Sequence, residues 1–504
     1  MPAADQILHA VDSYRRWLLA FAAILLFASF SPHWRITPDS ALFMGIARNL
    51  DEGRGFTFNE QVVTSVNAGF PYLLASARSV AADPIIVGNL LMMVTGMASL
   101  VLVYLLVMRQ AGRSLAVLVT VLTATNGTFL RHSCEILADI PFFFCCMIAL
   151  LGYERTYPKL GVDSARDSAR AGGRLILASA FIVIGLAGMA SLRIVFLGPL
   201  FAILIDLLWR ARRSRFKWAV IAGGAGVLLV ALAIRLADPR MAGGFTLLGK
   251  ERELLETLRD FPATASRVLS FNAPQLFTDI TPRAIFGNKI GVWPLDVAVS
   301  LAVLIAGVVL LRRRVAWAVL IIIYFVQWLL IFPDVRYFLP VLPLLILGWW
   351  DLSVLATGRL TPLRQRAALF ALIALLAVPS TVRSIGFAFE QHQSPFLARY
   401  LRGRFQDLPE FAPRARKMLP TDAILLTSGQ FAGPMHYFSG IRTIATVGAT
   451  LPVPLPPDRP VFVMVPGEAQ LDAALSTLGF TRGELVLSGP DRGAATLTIF
   501  AARR

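Results

Sequence analysis

The strongest constraint in this sequence is a succession of apolar runs, at 15–33, 84–108, 114–130, 138–154, 174–190, 192–209, 217–236, 291–311, 315–332, 337–356 and 367–388. A run of about 17 to 25 apolar residues spans a bilayer as a helix, and no soluble fold buries so many of them. Composition agrees. The 504 residues are 56% hydrophobic and 16% charged, against about 25% charged in an ordinary soluble domain. The expected fold class is an all-α polytopic membrane protein of about eleven transmembrane helices.

Loop charge orients these helices. Arg and Lys collect at Arg15/Arg16, Arg109/Arg113, Arg155 to Arg174, Arg210 to Lys217, Arg312 to Arg314 and Arg359 to Arg366, while the alternate loops are poorer in them for their size. The positive-inside rule then places the amino terminus in the cytoplasm and the carboxyl terminus outside. The same placement accounts for the net charge of +17 through membrane lipids, and nucleic acid is not expected as a partner. The first run follows Arg15 and Arg16, has no small-x-small cleavage site, and reads as an uncleaved span. Cys134, Cys145 and Cys146 sit in or beside one apolar run without metal-ligand spacing or a disulfide framework, and read as packing residues.

Residues 1–388 are thus expected to form the transmembrane domain. Its two long loops, 34–83 and 237–290, face outward with a small extracytoplasmic α/β domain over 389–504. In that tail Ala423–Thr427, Thr443–Val447, Val461–Val465, Glu484–Leu487 and Ala495–Phe500 read as strands, and Ala469–Leu478 as a helix. The tail has no Gly-rich phosphate loop and no evident triad, so a supporting role is expected of it. The second loop carries an amphipathic pattern in Leu247, Leu248, Glu251, Leu254, Leu255 and Leu258. It reads as a membrane-surface lid or acceptor platform, or equally as a solvated structural helix.

The first loop opens on Pro38-Asp39-Ser40, after which Leu42, Phe43, Ile46, Ala47 and Leu50 recur at helical spacing up to Gly53 and Gly55. That pattern predicts a short helix suited to the membrane surface, with Asp39 at its entrance as either a reaction-centre carboxylate or a plain N-cap. Other ionisable residues gather at the outward span ends: Arg131, His132, Glu135 and Asp139; Arg193; Lys289; and Asp334, Arg336 and Tyr337. Intramembrane charge is costly, and its default explanation is functional. Each cluster also has a structural explanation. Asp139 suits an N-cap before Pro141, Arg193 can snorkel, and Asp334 with Arg336 can be a surface pair. Four such clusters on one face favour a common cavity. Arginines there suit a phosphate, since guanidinium donates in pairs and keeps its charge, and a carboxylate suits proton removal from an attacking hydroxyl.

The stretches PDSALFMGIARNLDEGRGFTFN, SCEILADIPFFF, GLAGMASLRIVFLGPL and VRYFLPVLPLL occur in that order over about residues 15 to 388. With them the chain resembles the GT-C superfamily of membrane glycosyltransferases, in the branch of the protein O-mannosyltransferases and the lipid A aminoarabinose transferases. The resemblance implies a polyprenyl-phosphate sugar donor and an inverting single displacement. It also implies catalytic roles for Asp39 as base and for Asp139 or Glu135 as second acid. Arg336 and Tyr337 become donor-phosphate ligands with Arg193 assisting, and Lys289 is added as a phosphate contact from its position before the eighth run alone. Two features depart from the pattern. Asp39 is followed by Ser40 where some relatives have a second acid, and Asn67-Ala68-Gly69-Phe70-Pro71 lacks the lysine and second proline of the aminoarabinose branch. More of the phosphate binding therefore falls to arginines. Some members of the superfamily use a divalent metal; scattered His33, His132 and His392 and the few acids offer no convincing site, so no metal or cofactor is assigned.

The expected function is transfer of a sugar from a polyprenyl phosphate to a lipid, polysaccharide or protein acceptor on the periplasmic face of a bacterial inner membrane. A transporter or lipid-linked sugar flippase is the alternative from another class, and a non-catalytic envelope scaffold is a third. Transporters usually show pseudo-repeats and Gly- or Pro-interrupted midplane helices, whereas the two large outward loops and charged span ends here favour surface chemistry.

Overall fold

The computed structural model describes residues 3–79, 83–156, 168–211, 216–236, 257, 259–287, 289–330, 334–392, 405, 407–446, 459–466, 480–488 and 497–503. The helix expected over 469–478 lies outside them, as does all of the one expected over 247–258 except Thr257. The described chain is mostly helical, with a small sheet near its carboxyl end, and it divides into two compact units. One comprises Met1–Pro32, Thr64–Phe70 and Gly88–Gln391; the other comprises His33–Val63, Pro71–Val87 and His392–Arg504.

The first unit is helical. Each apolar run of the sequence is helical over most of its length, and among the described residues Pro84–Ala111, Trp293–Arg312 and Pro362–Glu390 are long and apolar enough to cross a membrane. Small residues bring neighbouring helices close, as in membrane bundles generally. A Cβ on Gly152 would stand 2.7 Å from the Ala178 carbonyl oxygen, and one on Gly185 2.6 Å from that of Cys145, so helices Asp139–Thr156 and Ser168–Leu192 meet backbone to backbone. The run 114–130 is not one helix. It breaks after Arg113–Ala124 and restarts at Gly127–His132, because buried Asn126 caps the restart by accepting from Thr128 and Phe129 N–H (2.9 and 3.2 Å). The Asn126 amide donates in turn to the carbonyls of Ala284 and Ile285 (2.9 and 3.1 Å), so its full hydrogen-bonding capacity fixes the break.

Polar side chains also tie the helices at their basic ends. Buried Glu154 takes Arg314 (3.2 Å) and Gln110, Asp206 takes Arg210 (3.1 Å) and Tyr153, and Asp351 takes Arg313 (2.5 Å). Buried carboxylates need such partners. Several arginines that read as plain topology signals are therefore also structural.

The second unit joins the first loop to the tail. Helix Pro38–Asp51 leads into a hairpin of β1 (Thr57–Phe58) and β2 (Gln61–Val62), turned by Asn59 and Glu60 at positive φ. The tail sheet comprises β3 (Ile424–Ser428), β4 (Arg442–Thr446), β5 (Val461–Pro466), β6 (Thr481–Ser488) and β7 (Leu497–Arg503), in the order β4-β3-β5-β7-β6. β3 runs parallel to β4 and β5, whereas β7 runs antiparallel to β5 and β6. Alternation along β3 feeds two cores. Leu425 joins Phe411, Phe431 and Met435 on the face covered by helices Leu408–Met418 and Gly429–Ser439, while Ile424 and Leu426 join Ile444, Val463 and Phe500 on the other.

Candidate active site

Asp139 is the first residue of its helix and is buried, with its carboxylate accepting from Arg193 Nη2 at 2.7 Å. Arg193 stands between helix Ser168–Leu192 and a 3₁₀ turn, Ile194–Phe196. It is not simply snorkelling: a buried carboxylate holds it. Glu135 is buried too, and pairs with Arg131 (2.8 Å) and His132 (2.9 Å). The residues between Glu135 and Asp139 are not helical, so the two acids do not share a helix face, and each has its own cation.

The turn before Leu342–Thr357 brings in the third cluster. Asp334 caps the 3₁₀ helix Val335–Phe338 through Arg336 N–H (3.1 Å) and pairs with the Arg336 guanidinium (3.2 Å). Both are half-buried, so this is more than a surface pair. Arg336 and Arg193 each lie 5.4 Å from the centre of the Tyr337 ring, within the range of a cation–π contact. Tyr337 thus gathers two guanidiniums from segments about 140 residues apart. Arg131 adjoins the same group. The Glu135 carboxylate, against the cost of burial, raises its pKa, and Asp334 and Glu390 add to the effect.

Lys289 is exposed. Its segment is held by Asp296, which accepts from Ile290 and Gly291 N–H (2.8 and 3.1 Å). Asp39 belongs to the second unit and is half-buried. It is not the helix cap. Thr37 accepts from Ser40 N–H (3.1 Å) and Ser40 Oγ accepts from Thr37 N–H (2.9 Å), a reciprocal capping box. The helix is not free to lie on a membrane by its apolar face either. Phe43, Met44, Ile46 and Ala47 are buried, and the helix packs on tail helix Gly429–Ser439 and on β1.

An arginine has five N–H donors, more than one carboxylate takes, so paired arginines can hold a carboxylate and a phosphate together. No group of three or more His, Cys, Asp or Glu side chains among the described residues is arranged to hold a metal. Glu135 and Asp139 are each engaged by a guanidinium.

No protein-family model matches the chain, and no curated protein does. Solved structures do. ArnT from Cupriavidus metallidurans matches over 98% of this chain and 98% of its own, with TM-score 0.58 and 12% identity. The same protein bound to undecaprenyl phosphate matches over 97% and 98%, at 0.56 and 13%. The Archaeoglobus fulgidus oligosaccharyltransferase tethered with an acceptor peptide matches over 94% of this chain and 72% of its own, at 0.54 and 13%. The fold is that of the GT-C glycosyltransferases. At such identities a GT-C fold fixes the path of the backbone and leaves the chemistry to be read from this chain's own side chains.

Proposed function

We propose that this GT-C protein transfers a sugar from a polyprenyl phosphate to a hydroxyl of a lipid, polysaccharide or protein acceptor. The site is proposed to face the periplasm of a bacterial inner membrane. The observation that carries the reading is the convergence of Arg193 and Arg336 on Tyr337, with Asp139 holding Arg193 (2.7 Å). Such a cluster suits a lipid-borne phosphate that carries one charge as the donor diester and gains a second as it leaves. That a structurally similar protein binds undecaprenyl phosphate supports the same class of donor here.

In the proposed reaction the acceptor oxygen attacks the anomeric carbon and the bond from that carbon to the phosphate oxygen breaks with inversion. The polyprenyl phosphate leaves with the bonding electrons, and the acceptor proton passes to Asp39. Arg193, Arg336 and Tyr337 bind the leaving phosphate, Asp139 orients Arg193, and Glu135 keeps Arg131 in place, with Lys289 assisting at the surface. About eleven spans, a cytoplasmic amino terminus, a membrane domain over 1–388 and a periplasmic domain over 389–504 complete the proposal. Purified protein supplied with a sugar-loaded polyprenyl phosphate should release free polyprenyl phosphate only when acceptor is present. Asp39→Asn should lower that rate by about 10² or more while the protein stays folded. Normal turnover by this variant would remove Asp39 as base, and translocation of the donor without its cleavage would replace the enzyme with a flippase.

A further inference from the structure

One face of tail helix Gly429–Ser439 grips the first-loop helix along its length. Gly433 comes against the Pro38 carbonyl, where a Cβ would stand 3.4 Å away. Tyr437 takes the other end, its carbonyl accepting from Arg48 Nη1 (3.1 Å) and its ring lying 4.8 Å from that guanidinium. Between them stands His436, on the same face by helical spacing. Its ring meets Phe58 edge to face at 4.7 Å, and Phe58 fills the space over Gly45 so closely that a Cβ there would lie 2.2 Å from the ring. The hairpin is tied to the helix as well, since Asn49 donates to the Thr57 carbonyl (2.8 Å).

The hydrogen bonds of His436 fix its protonation state. Nδ1 lies 2.7 Å from the Ile441 carbonyl, which only accepts, so Nδ1 carries a proton. Nε2 accepts from the Asn59 N–H at 3.0 Å, so Nε2 carries none. Asn59 and Thr443 complete the dock, with Thr443 N–H donating to Asn59 Oδ1 (2.8 Å) and the Asn59 amide donating back to the Thr443 carbonyl. We infer that neutral His436 is a positioning residue: it latches the β1–β2 hairpin and thereby sets the helix that carries Asp39. The role in catalysis rests on the function proposed above; the latch itself does not.

A second proton on Nε2 would face the Asn59 N–H donor to donor and break the latch. Burial lowers the pKa of His436 below the usual 6.5; the Ile441 hydrogen bond and Glu60 oppose this, and Arg48 and Arg54 reinforce it. Among the described residues Arg442 and Arg459 also carry charge on this surface, and both pair with Glu60 (3.8 and 3.4 Å). Because the folded pKa is depressed, the unfolded or undocked form binds more protons. Docking is complete above about pH 6.5 and weakens as pH falls through the lower folded value.

Hydrogen exchange of the Asn59 amide in full-length protein in nanodiscs tests this without substrate. After correction for intrinsic rates, its protection should fall between pH 8 and pH 5. In His436→Gln, whose side-chain carbonyl accepts but does not titrate, protection should not vary with pH. Transfer should show an acid limb in kcat, with KM unmoved, that the Gln variant lacks. Constant protection in the wild type overturns the latch whether or not the variant folds. Protection that titrates while the acid limb persists unchanged in His436→Gln overturns the positioning role. No transfer by any form at any pH would count against the proposed enzyme, and the exchange result would then decide the latch alone.

Discussion

Tyr337 is where the chemistry proposed for this protein is most exposed to test, because two guanidiniums lean on one ring. Arg193 serves a buried acid as well as any ligand, and the two duties separate by substitution. Arg193→Ala leaves Asp139 buried without its cation and should cost about 3–5 kcal/mol, read by thermal unfolding in detergent. Adding Asp139→Asn should recover most of that stability and none of the affinity for polyprenyl phosphate. Recovery of both would make Arg193 purely structural. A steric test lies at Gly45, where the Phe58 ring occupies the place of a side chain. Gly45→Val should cost about 1–3 kcal/mol by overpacking, with loss of hairpin protection in hydrogen exchange.

Among the elements, the first-loop helix shows what the sequence made legible. Its span, its stop at Gly53 and Gly55 and the acid at its entrance are all in the residue pattern, and both glycines do adopt positive φ. Its apolar face was equally plain, but a face does not name its partner, and the partner lies almost 400 residues away. Thr37 rather than Asp39 caps it, because the capping box uses the Thr37–Ser40 spacing; Thr37→Ala should therefore cost about 1 kcal/mol, measured as a lower melting temperature. The tail strands were legible for a related reason: β3 to β7 alternate or run apolar between turn residues. The two tail helices were not. Gly429, Gly433 and Pro434 are poor helix formers within one, and Pro413 lies inside the other, although Leu408, Phe411, Ala412 and Ala415 keep helical spacing. Tertiary burial overrides those residues' weak local preference. Nor could the sequence pair Asp139 with Arg193, since no period links residues 54 apart.

For the molecule as a whole, the GT-C fold was visible in four loose motifs and their order, and the long-range similarity to solved structures bears that out. Orientation rests on loop charge and has its own test. With the native cysteines replaced, Glu484→Cys should react with a membrane-impermeant maleimide added to the periplasm, and Arg312→Cys only after the inner membrane is opened. The reverse pattern would invert the topology and move the proposed chemistry to the cytoplasm.

Asn126 commits both amide hydrogens and its carbonyl oxygen to the break in the run 114–130. A side chain with no bonding capacity to spare makes a joint that is costly to remodel, so the chain turns there as a fixed elbow and not as a hinge.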